Sequence, residues 1–253
     1  MKRRLVWLVL CSTLPLAADD SFALIVRGKA QVVTRLGPLP GTPVTGVTVL
    51  FLPGDGGWRG AAITMASTIA SWGYATYGFD TKKYLETFSQ NGLKLSRNQM
   101  AEDLRTLVSE LPGGARQPVV IVGWSQGAAM AVAAVSGYPA RARIHGIITL
   151  GLPELAVLGW DWKSTLATLA RREPNQPTFA VKPLLPNVVP APLWMIHGAN
   201  DEYTSLEVER ALFHSAGEPK RYAEIDGADH RFSGHEDELY RSLKAGLAWI
   251  AAN

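Results

Sequence analysis

Cysteine is all but missing from this chain of 253 residues: there is one, Cys11. A single thiol closes no internal disulfide, so the fold must rest on its apolar interior. Metal-binding spacing is missing too. With five histidines, one cysteine and no H-E-x-x-H pattern, neither a metal centre nor a cofactor is expected. No charge-free apolar run approaches the ~20 residues that span a bilayer as a helix. A surplus of one charge is also missing once the first residues are set apart. The 25 Lys and Arg face 22 Asp and Glu, and Lys2, Arg3 and Arg4 account for the whole difference. The balanced remainder argues against a nucleic-acid partner.

Those first residues form a unit of their own. Met1-Lys2-Arg3-Arg4 is basic, Leu5 to Leu16 is apolar and uncharged, and Leu16-Ala17-Ala18 is followed by Asp19-Asp20. Basic, apolar and small in that order is the layout of a secretory signal peptide, so residues 1–18 are expected to be removed and 19–253 to form one domain. Cys11 would leave with the leader, and the mature chain would carry no thiol into an oxidising compartment. Periplasmic localisation is the expectation.

The full chain is 47% apolar and 19% charged, as in a globular protein with a sizeable core. Residues 22–35 alternate and read as an opening pair of strands. Short apolar runs at 47–52, 74–79, 118–122, 144–150, 192–197 and 221–225 read as buried strands. Helical spacing follows at 61–72, after the capping-box pattern Ser96-Arg97-Asn98-Gln99, after residue 125, and at 236–251. Strands alternating with helices predict an α/β domain with a mostly parallel central sheet and helices on both faces. Residues 154–190 break the rhythm. They hold Trp160, Trp162, a helical stretch near 163–172 and Pro174, Pro177, Pro183, Pro186 and Pro190, and read as a small cap insertion over the site.

Chemistry concentrates at Gly123-Trp124-Ser125-Gln126-Gly127. This G-x-S-x-G run follows a buried strand and opens a small-residue helix, the context of a nucleophile elbow. A serine hydroxyl is a weak nucleophile and needs a base, which in turn needs an acid to orient it. Reactive groups of a parallel sheet gather beyond the carboxyl ends of its strands. Two later strand ends answer: Asp201 in His197-Gly198-Ala199-Asn200-Asp201, and His230 in Asp226-Gly227-Ala228-Asp229-His230. Glu202 is the reserve acid, and His197 is assigned to the turn ahead of the acid loop. The oxyanion needs backbone donors; Gln126, next after the serine, and Asp55, in the loop after the strand at 47–52, are the candidates. That loop, Gly54-Asp55-Gly56-Gly57-Trp58, lacks the Gly-Lys-Ser/Thr ending of a phosphate cradle. Trp58, Lys82, Lys83 and Trp124 are the candidates for contact with substrate.

These residues resemble the α/β-hydrolase superfamily over about 45–252, through G-W-S-Q-G at 123–127, H-G-A-N-D at 197–201 and G-A-D-H at 227–230. The resemblance implies Ser125 as nucleophile, Asp201 as acid and His230 as base. The G-D-G-G-W loop at 54–58 and the segment Asp80-Thr81-Lys82-Lys83-Tyr84-Leu85 are similar to the periplasmic VirJ/AcvB group of bacterial virulence proteins. That group includes hydrolases of aminoacylated phosphatidylglycerol. The chain differs from it in Trp124 and Gln126, where Tyr and Phe are more common, and in its Ala228-Asp229-His230-Arg231-Phe232 loop. The expected function is a secreted serine hydrolase of a small-molecule or lipid ester, an aminoacyl-phospholipid among them, with peripheral membrane contact. The alternative is a non-catalytic binding protein assisting a secretion or envelope assembly.

Overall fold

The computed structural model describes residues 20–38, 41–90, 93–113, 117–137, 143–159 and 176–253. The expected leader, Trp160, Trp162 and the helix expected near 163–172 lie outside the described residues. The chain opens with a hairpin, β1 (Asp20–Val26) and β2 (Lys29–Leu36), paired antiparallel from Asp20↔Arg35 to Val26↔Lys29. Then come β3 (Thr48–Leu52), α1 (Ala61–Ser71), β4 (Ala75–Phe79), α2 (Thr81–Ser89), α3 (Arg97–Glu110), β5 (Val119–Trp124), α4 (Gln126–Val135) and β6 (Ile144–Leu150). After β7 (Leu155–Val157), β8 (Thr178–Ala180) and a 3-10 turn (Lys182–Asn187) follow β9 (Leu193–Gly198), α5 (Leu206–Ser215), β10 (Lys220–Ile225) and α6 (Glu236–Ala251).

Eight strands make one sheet in the order β1-β2-β4-β3-β5-β6-β9-β10. The hairpin runs antiparallel to its neighbour β4, and the pairs from β4 to β10 are parallel. Side chains of a strand alternate between its two faces, and this divides the core. Leu50, Leu52, Val119 and Ile121 face a layer built with α2, α3 and α4. Val49, Phe51, Val120 and Val122 face a layer built with α1 and α6. On α6, Leu239, Leu243, Leu247 and Ile250 recur at helical spacing and are all buried, each contributing about 1.5–3 kcal/mol by leaving water.

Helix α3 starts as its sequence predicts. Gln99 N–H donates to Ser96 Oγ, and the Gln99 side chain accepts from the Ser96 N–H at 3.0 Å, which satisfies two N-terminal donors. Within the expected cap region, β7 and β8 form a separate antiparallel pair, Leu155↔Ala180 to Val157↔Thr178. Because β3, β4, β5, β6, β9 and β10 run parallel in the main sheet, the loops after β3, β5, β6, β9 and β10 all emerge at one end of it.

Candidate active site

Ser125 sits between β5 and α4 with φ 54 and ψ −119. A residue with a Cβ adopts this backbone only under strain, and here the strain lifts the side chain above the sheet. Packing enforces it. A Cβ on Gly123 would stand 2.5 Å from the Gly127 carbonyl oxygen, and one on Gly127 would run into the Leu52 and Pro53 carbonyls. Helix α4 therefore lies against the strands, buried along its whole length, while Ser125 stays partly exposed.

Asp201 and His230 are carried by two loops zipped together by backbone. Ala199 N–H donates to the Ile225 carbonyl and Asn200 N–H to the Ala228 carbonyl, both at 2.9 Å. Phe232, fully buried, anchors the base loop to the core. The result is a 2.6 Å contact between His230 Nδ1 and Asp201 Oδ2. Asp201 Oδ1 accepts from the Tyr203 and Thr204 N–H groups at 2.8 and 3.0 Å. Burial pushes the Asp201 carboxyl up, but the hydrogen bond and charge of His230, with the Thr204 and Tyr203 N–H groups, outweigh it. The acid is held below the ordinary carboxylate range.

The Ser125 elbow and this pair meet at the end of β6. Ser125 N–H donates to the Leu150 carbonyl at 2.8 Å. The next residue, Gly151, lies so close beneath the pair that a Cβ there would stand 2.9 Å from His230 Nδ1 and 3.2 Å from Asp201 Oδ2. Trp124, beside the serine, donates its indole N–H to the His230 carbonyl at 3.2 Å. All three expected groups, Ser125, Asp201 and His230, thus stand at one end of the sheet.

The loop after β3 completes the neighbourhood. Gly54 is the point of closest approach: a Cβ on it would lie 2.9 Å from Ser125 Cβ and 3.5 Å from Oγ. Gly57 N–H closes a turn on the Gly54 carbonyl at 3.0 Å, with Asp55 and Gly56 at its corner. At this corner loss of solvent around the carboxyl pushes Asp55 up, while the charges of His230 and then Lys82 pull it down. Gln126 is the first residue of α4, so its N–H has no i−4 carbonyl within the helix. Its side chain is committed elsewhere, donating to the Val157 carbonyl at 2.8 Å and so tying β7 to the elbow.

The remaining expected contacts divide. Lys82 lies beside the loop at Gly57 and 3.9 Å from Glu86, whereas Lys83 is on the exposed side of α2. Trp58 packs its ring over Gly78 and 6.2 Å from the Phe51 ring. The Trp124 ring packs against the α1–α6 layer, and both indoles remain partly exposed. Glu202, the reserve acid, accepts from the His230 N–H at 3.1 Å, and Asp229 caps the Arg231 and Ser233 N–H groups at 2.9 Å. Two neighbours carried no mark in the sequence. Tyr203 stands edge-on to the His230 ring with centroids 4.7 Å apart, and Gly151 leaves the room the pair occupies. Among the described residues no cluster of three or more His, Cys, Asp or Glu is placed to hold a metal, and no helix is long and apolar enough to cross a membrane.

Comparison with known proteins bears on this geometry. A family model described as bacterial virulence protein (VirJ) matches residues 46–211, a stretch that takes in Ser125 and Asp201 and ends before His230. No curated protein matches the chain. Among solved structures, the esterase domain of a Rhodothermus marinus protein is 21% identical over 92% of this chain and 98% of its own, with a TM-score of 0.64. An α/β serine hydrolase without lid from Xanthomonas campestris is 15% identical over 91% and 94%, with a TM-score of 0.61. A membrane phospholipase A described as a bacterial virulence factor is 13% identical over 93% and 87%, with a TM-score of 0.67. At these identities the likeness is one of fold, and the fold is that of the α/β hydrolases.

Proposed function

The chain belongs to the VirJ family of bacterial virulence proteins, and from that membership and the strand-end constellation we propose that it is a secreted serine esterase. The observation that carries the reading is the 2.6 Å His230–Asp201 pair set beside a serine held at positive φ. Nδ1 of His230 is engaged by the acid, which leaves Nε2 as the base toward Ser125. Ser125 Oγ attacks the acyl carbon and His230 takes its proton. The Asp201 carboxylate stabilises the imidazolium, and the backbone N–H groups of Gln126 and Asp55 face the oxyanion. His230 then returns the proton to the leaving alcohol, and water resolves the acyl-enzyme by the same steps in reverse. Removal of the acid is expected to lower kcat by about 10⁴-fold and removal of the base by about 10⁶-fold.

The substrate class we infer is a lipid ester, an aminoacyl-phospholipid among them, met in the periplasm after removal of residues 1–18. Lys82, at the rim of the loop, and Lys83 on the same helix would face an anionic headgroup at a membrane surface. Residues 154–190 would act as the cap. Supporting this are the basic-apolar-small leader and the family membership.

One observation favours a second reading, a non-catalytic binding protein of a secretion or envelope assembly: the segment shared with the family ends at 211, before the base. A fluorophosphonate probe separates the two. Labelling of the wild type and its loss in Ser125→Ala is expected; folded protein that takes no label belongs to the binding class. Hydrolysis of aminoacyl-phosphatidylglycerol in lipid extracts, compared with a series of p-nitrophenyl esters of rising chain length, then tests the substrate.

A further inference from the structure

The triad leaves two buried ionisable side chains unused. His197, on β9, and Glu209, on α5, are both fully buried. His197 Nδ1 lies 3.8 Å from Asp201 Oδ2, the oxygen that also takes His230, and 3.9 Å from Glu209 Oε1. Among the described residues, neither ring nitrogen of His197 and neither oxygen of Glu209 has a hydrogen-bond partner. The backbone of Thr204 approaches the ring and the Leu152 N–H approaches the carboxyl, both without a well-formed bond. From β10, Tyr222 presents a buried hydroxyl that is raised by burial first and by Glu209 next. Glu224 of the same strand acts on His197 from farther off and is paired with Arg210 at 2.8 Å. His230 faces the group from the loop after β10.

Two carboxyls within reach of one imidazole, in an interior closed to water, do not both ionise without a cation between them. Hydrogen bonds decide which of them keeps the charge. Asp201 has three donors, the N–H groups of Tyr203 and Thr204 and the His230 ring; Glu209 has none among the described residues. We propose that His197 and Glu209 are positioning residues for the triad: Glu209 keeps its proton, His197 stays neutral between the two carboxyls, and Asp201 is the single negative charge behind His230. The proposal takes its significance from the serine-esterase reading. The directions agree. Burial and then the Asp201 charge hold Glu209 well above the ordinary range, and burial pushes His197 down. Neighbouring ionisable groups driven apart in this way are how an interior assigns one proton to one site. A second ionised carboxyl here would favour the protonated form of His230, which cannot accept a proton from Ser125.

The first measurement needs no substrate. In wild-type protein labelled with ¹³C at the glutamate side-chain carboxyl, one resonance is expected to remain in the protonated position at neutral pH and to vanish in Glu209→Gln. Its absence from the wild type overturns the proposal, even if the variant does not fold. The second reads the fluorophosphonate labelling rate against pH. Gln mimics the protonated acid, so the acid limb for Glu209→Gln should superimpose on that of the wild type; a limb moved to lower pH would mean that a charge had been removed, and would overturn it. His197→Leu, which fills the space without the ring, is expected to lower kcat on a p-nitrophenyl ester by about tenfold with KM changed by less than about twofold. Full kcat in folded His197→Leu would deny the ring its role. Absence of labelling in wild-type protein would defeat the esterase reading alone, since the carboxyl resonance is read without it.

Discussion

Gly151 shows how narrow the tolerance of the site is. Its φ is 55, and the space its missing side chain leaves is filled by the His230 ring and the Asp201 carboxylate. Ala at this position would meet both a strained backbone and a 2.9 Å contact with the imidazole. Gly151→Ala is expected to tilt the ring away from Ser125 and to lower the labelling rate by about 10²-fold, a loss out of proportion to any fall in Tm. Equal labelling rates in the two proteins would show that the ring has room to spare. The three principal residues were legible in the sequence because each follows a strand, and the end of a parallel strand fixes where the next loop emerges. Gly151 and Glu209 were not legible. Gly151 matters through two loops more than 45 residues away, and Glu209 through a helix face that turns inward; one-dimensional spacing records neither. The sequence assigns His197 to the turn ahead of the acid loop, and its proximity to Glu209 is invisible there for the same reason. Trp58 and Trp124 are candidates for contact with substrate from the sequence, and in the fold Trp58 also packs over Gly78 while Trp124 donates to the His230 carbonyl.

Among elements, the joint between the opening hairpin and the helical layer is the clearest case of a polar device in an apolar setting. Arg27, at the β1–β2 turn, donates through Nε to both oxygens of Asp103 on α3, at 3.0 and 2.8 Å. Tyr84 of α2 donates its hydroxyl to the same carboxylate at 2.6 Å. Burial, then the hydrogen bond to Asp103 and its charge, push the Tyr84 hydroxyl far up, so it stays a donor. Arg27→Met would leave the Asp103 carboxylate with one donor of this set. A loss of about 1–3 kcal/mol is expected, toward the lower end because the Arg27 side chain is 32% exposed. It should appear as a lower urea midpoint at unchanged m; an unchanged midpoint would mean that water replaces the guanidinium without cost. The capping box of α3 was readable beforehand because both of its partners lie within one turn. This joint was not, because its three members come from three elements.

For the molecule as a whole, the two faces of the sheet are covered by different parts of the chain. The α1–α6 layer takes four of its buried side chains, Leu239, Leu243, Leu247 and Ile250, from α6. A chain ending at Ser215 would keep the whole stretch matched by the family model but lose β10 and α6, leaving Ile148, Leu150 and Ile196 without their cover. It is expected to lose near-UV dichroism and to bind ANS, the marks of a collapsed state without fixed packing. A cooperative melt from that fragment would show that one layer suffices. The mostly parallel sheet was readable from strands alternating with helices, and the hairpin from its alternating residues. The order β2-β4-β3-β5 was not, because which strands become neighbours is set by crossovers and not by local pattern.

The placement of β10 also has a meaning in time. The elbow at Ser125 is synthesised first, Asp201 next and His230 last, on a loop that follows β10, the strand that docks beside β9. A nascent chain shorter than this has no His230 to set beside Ser125. On the esterase reading, a chain so ordered stays silent until β10 is laid down at its edge of the sheet.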